Sequence, residues 1–228
     1  MYYQEIGGRM KVVAYIPIKL NNERCPGKNI KKFDDGTPLC SFLFNTISQV
    51  NNIDEIYCYC SDESIENYLQ GRVRFLKRDP KLDLDSAKFQ DICDSFIEQV
   101  DADIIVLSHV TSPFIKAESI EECVERVKSG EYDSAFAAGR VQEFLWQESR
   151  PLNFDPSSVV RSQDLPLIYK ESIGCFVFTR KEYMQNKRRI GLHPYIKEIS
   201  KIEEVDIDYP EDFEIANAIY MNILKVKK

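Results

Sequence analysis

The sequence lacks the features that mark membrane proteins, zinc proteins and dinucleotide-binding enzymes. No apolar run approaches the length of a membrane span, and residues 1–9 lack the apolar stretch of a signal peptide. The seven cysteines show neither C-x-x-C nor Cys/His zinc spacing. The G-x-G-x-x-G and Walker A patterns are also absent. We therefore expect a cytoplasmic protein with free thiols, in which residues 1–9 form a loose extension.

The composition is that of an acidic globular protein. A length of 228 residues predicts one domain over residues 1–228, and 43% hydrophobic residues suffice for a buried core. The formal net charge of −7 argues against nucleic acid or an anionic membrane as the main partner. A small anionic substrate stays possible, because a local basic loop can hold it.

Apolar runs alternate with stretches of helical periodicity over the first 140 residues. This alternation predicts βαβ units, and hence an α/β fold with a mainly parallel sheet flanked by helices. Residues 141–170 hold the only Trp and several prolines, and we expect an excursion from the sheet there. Ser61 is the expected N-cap of the second helix. The predicted strands are residues 12–18, 56–60, 73–76, 104–107, 134–138, 173–179 and 205–208; the predicted helices are residues 38–50, 62–69, 86–100, 117–128 and 210–224.

In such sheets, ligands bind beyond the carboxyl ends of the strands. The loops after residues 18, 76 and 107 should therefore meet at one crevice. Positive charge and exposed backbone N–H groups in the first of these loops would suit a triphosphate, although a solvated basic loop is the alternative. Its five cationic residues are Lys19, Arg24, Lys28, Lys31 and Lys32.

The same loop resembles the opening loop of the acylneuraminate (CMP-sialic acid synthetase-like) cytidylyltransferases, I-P-A-R-G-G-S-K-x-x-P-G-K-N. Lys19 stands at the family's Arg and Asn22 at its Ser, while Leu20 and Asn21 replace the two glycines. Lysine is a point charge, so bidentate phosphate contact is lost, and the backbone without glycine approaches a phosphate less freely. The matching residues are Pro17, Pro26, Gly27, Lys28 and Asn29.

Four further segments extend the resemblance over nearly the whole chain. Residues 75–80 resemble F-x-R-R-P, and residues 109–113 resemble Q-P-T-S-P with His109 at the Gln. Residues 161–166 are similar to R-x-Q-D-x-P, and residues 205–213 to I-D-I-D-T-P-E-D-F. Together they imply a Rossmann-like nucleotidyltransferase fold. The implied reaction transfers CMP from CTP to the anomeric hydroxyl of an acidic 2-ulosonic sugar and releases pyrophosphate.

The resemblance also assigns roles, to be set beside simpler interpretations of the same residues. Arg78 suits the acceptors of cytosine, or else pairs with Asp79 or Asp83 at the surface. His109 falls on the sugar side, or else is a hydrogen-bonded structural histidine. The implied catalytic residues are Lys19, Lys28 and Asp208; the nucleotide-binding residues are Lys19, Asn22, Lys28, Asn29, Arg78 and Ser86; the sugar-binding residues are His109, Thr111, Ser112, Arg161, Gln163 and Tyr169.

A magnesium site is expected at Asp206 and Asp208. Two positions apart on a predicted strand, their carboxylates would share one face and offer the hard oxygen ligands that Mg²⁺ prefers. The alternative is that Asp208 caps the final helix.

The resemblance further implies a homodimer in which residues 141–170 form a dimerisation and sugar-pocket arm. The candidate contacts are Phe144, Leu145, Trp146 and Leu152. Three other functions stay open. One is a cytidylyltransferase for 3-deoxy-manno-octulosonate. Another is a glycosyltransferase of related fold that uses Asp83-Leu84-Asp85 as a metal motif. The third is an inactive nucleotide-binding homologue.

Overall fold

The computed structural model of the chain describes residues 9–22 and 24–226. Within that part, seven strands form one sheet in the order β3-β2-β1-β4-β8-β5-β9, and β6 and β7 form a separate two-stranded sheet. The strands are β1 (Val12–Ile18), β2 (Glu55–Cys60), β3 (Val73–Lys77), β4 (Ile104–Leu107), β5 (Ser134–Val141), β6 (Trp146–Gln147), β7 (Arg150–Pro151), β8 (Ile168–Thr179) and β9 (Pro194–Ile199). The α-helices are α1 (Leu39–Ser48), α2 (Phe89–Gln99), α3 (Ala117–Lys128), α4 (Arg180–Asn186) and α5 (Pro210–Ile219).

The sheet is covered on both faces, which explains its apolar strands. Every residue of β1 except Pro17 is buried, and so is every residue of β4. Alternate residues point to opposite faces: Val12 and Ala14 pack towards α1 and α3, whereas Val13 and Tyr15 pack towards α2 and α4. The predicted mainly parallel sheet flanked by helices is confirmed.

The strand directions gather several loops at one edge. Strands β1, β2, β3 and β4 are mutually parallel, and the antiparallel β8 separates β4 from β5. The carboxyl ends of β1, β3, β4 and β5 therefore lie at the same edge as the beginning of β8. The loops after residues 18, 77 and 107 open there, as the sequence predicts.

Several predicted boundaries are wrong. Strand β8 begins at Ile168. The last three residues of the predicted excursion therefore belong to β8 and pair with β5. The second predicted helix is a 3₁₀ helix whose N-cap is Asp62; the hydroxyl of Ser61 donates instead to Asp83. The final helix changes to a π-helix over Tyr220–Leu224. The sequence analysis missed α4 and β9. Of the predicted N-terminal extension, only Arg9 is described, and it pairs with Asp54.

The predicted strand over residues 205–208 is absent. The backbone N–H of Ile207 donates to the carbonyl of Thr111 at 2.9 Å, in the loop after β4, and no strand ladder forms. Ile207 itself is fully buried beside Phe33 and Phe213. This packing holds the chain on either side of it, and hence Asp206 and Asp208, at the carboxyl edge of the sheet.

All seven cysteine thiols are free, as expected, and all seven are buried. No helix in residues 9–22 and 24–226 combines the length and the apolar character needed to traverse a bilayer.

Candidate active site

The first loop buries a lysine at the carboxyl edge of the sheet. Gly27 adopts φ 66°, a left-handed conformation that suits glycine, and the chain then enters a short 3₁₀ turn over Lys28–Ile30. Lys28 is only 8% exposed. Its Nζ donates to the carbonyl of Ile207 at 2.5 Å and to Oδ1 of Asp208 at 3.2 Å. The loop of β1 is thus tied to a segment about 180 residues later in the chain.

Asp208 is the centre of a small ion cluster. Besides Lys28, it receives Nη2 of Arg24 at 3.0 Å, and that guanidinium lies 5.6 Å from the ring centroid of Tyr209. The carboxylate does not cap α5. Asp212 does so, because its Oδ2 accepts from the backbone N–H groups of Asp208 and Tyr209 at 2.9 and 2.8 Å. The capping interpretation of Asp208 is therefore wrong, and its carboxylate faces the cations of the first loop.

Asp206 lies close enough to Asp208 for their charges to interact. Burial and the negative charge of Asp208 raise the pKa of Asp206, against the opposing effects of the Thr111 hydroxyl and Lys28. Its Oδ1 is buried without a hydrogen-bonding partner among the described residues. A cation at this oxygen would relieve both the repulsion and the missing bond. The described residues contain no cluster of three or more metal-ligating side chains, so substrate oxygens and water would have to complete a metal's coordination.

Lys19 and Asn29 organise the start of the first loop. Nδ2 of Asn29 donates to the carbonyl of Lys19 at 2.8 Å. Nζ of Lys19 in turn reaches Oδ1 of Asp85 at 3.0 Å and the carbonyl of Asp83 at 3.1 Å. The loop after β1 is thereby joined to the loop after β3.

Arg78 is buried rather than at the surface. It is 2% exposed, and its Nη2 donates to the carbonyl of Ile18 at 2.8 Å and also pairs with Asp83. The alternative interpretation, in which Arg78 pairs with Asp79 or Asp83 at the surface, is therefore correct about Asp83 and wrong about the surface. The guanidinium meets the end of β1, which places it beside the first loop.

Ser86 does not open the following helix. Its side chain is exposed in a turn in which the N–H of Ala87 donates to Leu84 at 2.9 Å. Helix α2 begins three residues later, because Asp91 accepts from the backbone N–H of Lys88 at 2.8 Å and so caps the helix there.

His109 is partly buried and lies within the electrostatic reach of two cations. Burial, and then the charges of Arg189 and Lys28, lower the pKa of His109 from 6.5 to about 4, so the imidazole is neutral near pH 7. Thr111 and Ser112, which follow in the same loop, are buried. The sequence analysis placed His109 on the sugar side but missed Arg189, whose guanidinium stacks 4.0 Å from the ring centroid of Phe176 and pairs with Glu171.

Buried polar atoms without partners concentrate at this edge of the sheet. Eight such side-chain atoms occur among the described residues, and six belong to its loops. Because buried polar groups in folded proteins are nearly always hydrogen-bonded, the cluster indicates a place that polar ligands complete. Ser108 is a member that sequence reasoning missed. The six atoms are Oδ1 of Asn22, Oδ1 of Asn29, Nε of Arg78, Oγ of Ser108, Oγ of Ser112 and Oδ1 of Asp206.

The predicted residues of the arm are not drawn into this cluster. Arg161 is exposed and forms two bonds to Asp164, at 2.8 and 3.2 Å. Gln163 is exposed, and its carbonyl accepts from Gln142. The hydroxyl of Tyr169 reaches Glu198 at 3.5 Å. The side chains of Arg161 and Tyr169 and the carbonyl of Gln163 make these contacts on residues 141–170 and the adjoining strands.

Comparison with known proteins places this edge in context. A family model described as Cytidylyltransferase matches residues 13–227. The chain belongs to the cytidylyltransferase family. The family predicted from the motifs is thus confirmed, and it is a class of nucleotidyltransferase enzymes. The segment that matches contains both the loop after β1 and Asp206 with Asp208.

Individual relatives are more distant. The chain is 24% identical over 215 residues to an N-acylneuraminate cytidylyltransferase of Streptococcus agalactiae serotype V, covering 90% of this chain and 52% of the relative. It is 25% identical over 217 residues to 3-deoxy-manno-octulosonate cytidylyltransferase 2 of Hydrogenovibrio crunogenus, covering 90% and 83%. The chain spans about half the length of the N-acylneuraminate cytidylyltransferases it matches.

A solved structure confirms the nucleotidyltransferase fold. CMP:2-keto-3-deoxy-manno-octonic acid synthetase, complexed with CTP, superposes with a TM-score of 0.67 at 17% identity. The match covers 92% of this chain and 98% of the other.

The depressed pKa of His109 predicts a pH dependence of stability. Between pH 6.5 and about 4 the unfolded chain binds a proton at this histidine that the folded chain does not, so stability falls as the pH falls. His109→Gln removes that component. We expect the variant to lose about 1 kcal/mol less unfolding free energy than the parent between about pH 7 and pH 5.

Urea unfolding at the two pH values measures this difference. His193→Gln is the matched control, because His193 is the only other histidine and is exposed. Equal losses in the parent and in His109→Gln would contradict the assignment.

Proposed function

We propose that this chain transfers CMP from CTP to the anomeric hydroxyl of an acidic 2-ulosonic sugar and releases pyrophosphate. The observation that supports this most is the gathering of buried cations and unpartnered polar atoms at the carboxyl edge of a cytidylyltransferase fold. Lys28, Asn29 and Arg78 are all at least 92% shielded from solvent there. Buried polar atoms without hydrogen-bonding partners destabilise the folded state. Their presence together at this edge therefore supports a role in binding a polar ligand.

In the proposed reaction the sugar hydroxyl attacks the α-phosphorus of CTP and the pyrophosphate oxygen leaves in line. Lys28 and Lys19 provide fixed positive charge for the phosphates, where negative charge grows in the transition state. Asn22 and Asn29 lie in the same loop and offer amide groups to the nucleotide. Arg78 lies at the nucleotide side, with a buried Nε–H that lacks an acceptor among the described residues.

The residues present fit a magnesium ion. The unpartnered Oδ1 of Asp206 and the carboxylate of Asp208 would hold it, and Mg²⁺ bound to phosphates offsets their charge. The chain's own part is to hold the two carboxylates in place. Lys28 holds Asp208 through an ion pair, and its positive charge opposes the rise in the pKa of Asp206.

The class of sugar rests on the relatives and on the local charge. Both relatives described above are named for acidic nine- or eight-carbon sugars, so the 3-deoxy-manno-octulosonate activity stays a specific second candidate. His109, Thr111 and Ser112 would line the sugar side as hydrogen-bonding groups. The glycosyltransferase alternative gains no support, because Asp83 and Asp85 each bond a cation of the protein.

Pyrophosphate release from CTP with a panel of 2-ulosonic acids tests the proposal. Activity with neuraminate-type acids and not with 3-deoxy-manno-octulosonate would select the first candidate, and the reverse would select the second. We expect Lys28→Ala to lower kcat by at least about a hundredfold, because one preorganised charge or donor at the transition state is worth roughly that much.

Lys31→Ala is the matched control for this variant. Lys31 is on the same loop, but its side chain is 40% exposed and pairs with Glu214. It should retain activity within about twofold. Lys28→Ala with parental turnover would remove Lys28 from the catalytic residues.

The magnesium proposal predicts that Asp206→Asn raises the Mg²⁺ concentration needed for half-maximal activity by about tenfold, since one of two anionic ligands is lost. Asp206 is the better test position, because Asp208 also pairs with Lys28 and Arg24. The titration of activity against Mg²⁺ should be accompanied by thermal unfolding with CTP and Mg²⁺. An unchanged Mg²⁺ requirement would leave Asp206 with a structural role only.

We further propose a homodimer formed through residues 141–170. This arm departs from the carboxyl edge of the sheet and exposes an unusual number of large apolar side chains, which marks protein contact surfaces. They include both Trp146, 56% exposed, and Leu152, 55% exposed. A partner's arm covering the neighbouring site would bring Arg161, Gln163 and Tyr169 to a sugar that they do not approach within one protomer. The exposed set is Phe144, Trp146, Leu152, Val159, Val160 and Leu167.

A charge placed in this surface should separate the protomers. Trp146→Lys combined with Leu152→Lys is expected to shift the sedimentation coefficient to that of a monomer and to raise KM for the sugar by about tenfold or more, while CTP binding persists. Leu192→Lys, at an 83% exposed position near the opposite edge of the sheet, is the control. A parent protein that sediments as a fully active monomer would refute the dimer.

A further inference from the structure

The motif Asp83-Leu84-Asp85 has a different use in the structure from metal binding. Asp83 pairs with Arg78, and Asp85 with Lys19 at 3.0 Å. Both cations are assigned to the nucleotide in the proposed function. Asp83 ends a short 3₁₀ helix over Pro80–Asp83 that follows β3, and Asp79 caps this helix by accepting from the N–H of Lys81. Asp85 lies in the turn after the helix.

The two ion pairs differ in their exposure. The side chains of Arg78 and Asp83 are 3% and 13% exposed. Asp83 is also held by the hydroxyl of Ser61, so its two oxygens have separate protein donors. A buried pair of this kind is expensive to break, because separation leaves a charge without a partner. Asp83 therefore fixes the orientation of Arg78 whether or not a ligand is present.

The second pair is exposed and exchangeable. The side chains of Lys19 and Asp85 are 27% and 69% exposed. Water screens such a pair, and little free energy is lost when its partners separate. Lys19 keeps a second bond, to the carbonyl of Asp83, so its ammonium stays beside the loop after β3 when Asp85 moves.

We propose that Asp83 is a positioning residue for Arg78, and that Asp85 is a counter-ion of Lys19 which the triphosphate of CTP displaces. This inference rests on the proposed function, because it takes Lys19 and Arg78 as nucleotide-binding residues. The segment of residues 83–85 thereby has two roles. Asp83 holds the guanidinium of Arg78 in a fixed orientation towards the nucleotide. Asp85 keeps the ammonium of Lys19 paired until the triphosphate binds.

The displacement step predicts tighter CTP binding when Asp85 loses its charge. Asp85→Asn should lower the dissociation constant for CTP by about threefold, the size expected when a weak exposed ion pair no longer competes. The effect must run through Lys19, so Asp85→Asn should change nothing in a Lys19→Met background. Glu63→Gln is the matched control, since Glu63 forms a similar exposed pair with Lys77 at 2.9 Å.

The positioning step predicts a loss of nucleotide discrimination. Asp83→Asn should raise KM for CTP and lower the CTP/UTP ratio of kcat/KM by about tenfold, because a loosened Arg78 meets the two bases more equally. Ser61→Ala removes one support of Asp83 without altering charge, and it should move the ratio in the same direction by about twofold. This second variant tests the step even where Asp83→Asn fails to fold.

Calorimetric titration with CTP alone, without sugar, separates this inference from the proposed function. A parent chain that binds no CTP overturns the proposed function and this inference with it. Where the parent binds CTP, an unchanged or weaker affinity in Asp85→Asn overturns the displacement. An equal gain in the Lys19→Met background overturns it too, since the effect is then only long-range charge. Parental CTP/UTP ratios in Ser61→Ala and in folded Asp83→Asn overturn the positioning role.

Discussion

The ammonium group of Lys28 must have partners, because it is almost wholly removed from water at the end of an apolar sheet. It finds them in the carbonyl of Ile207 and the carboxylate of Asp208. That requirement determines the path of the chain after β9. The segment that ends in α5 returns to the first loop instead of joining the sheet, and Asp206 arrives beside Asp208 as a result. The burial of Ile207 and its backbone bond to Thr111 hold the same segment, so the buried charge and the packing together keep the two carboxylates there.

Most of the sheet was predictable because a strand buried on both faces must be apolar throughout, as in β1 and β4. Where burial is partial, the pattern fails. In β9 only Ile199 is buried, and α4 buries one residue, Tyr183, in seven. Residues 205–208 mislead in the opposite sense. Their apolar–acidic alternation is that of a strand, but the backbone N–H of Ile207 bonds a loop residue and its carbonyl bonds a lysine.

The residues of the candidate site also fall into a group that the sequence predicts and a group that it does not. Local motifs located Lys28, Asn29 and Arg78, and the two loops that carry them, after β1 and after β3, lie where the topology of a parallel sheet puts ligands. Partners distant in sequence were not predictable. Lys19 and Asp85 are 66 positions apart, and no periodicity connects them. The motif around Asp85 therefore suggested a metal site, whereas the fold supplies each of its carboxylates with a cation.

In this chain of net charge −7, two lysines of the basic first loop are already paired with carboxylates, so their positive charge is not free. Because Lys19 and Lys28 already bond carboxylates, a triphosphate bound as in the proposed function would gain their charge by exchange and not by addition. The net free energy would then be a difference between two ion pairs, which is small for a single phosphate at an exposed pair. A ligand with several linked phosphates would exchange with several carboxylates at once, so under the proposed function the arrangement would favour a nucleoside triphosphate over inorganic phosphate. A lysine in place of the family's arginine suits such an exchange. Its ammonium is a point charge, so it can change from one anion to another without the planar, bidentate geometry of a guanidinium. The departures in the first loop are therefore compatible with an active enzyme and do not by themselves indicate an inactive homologue.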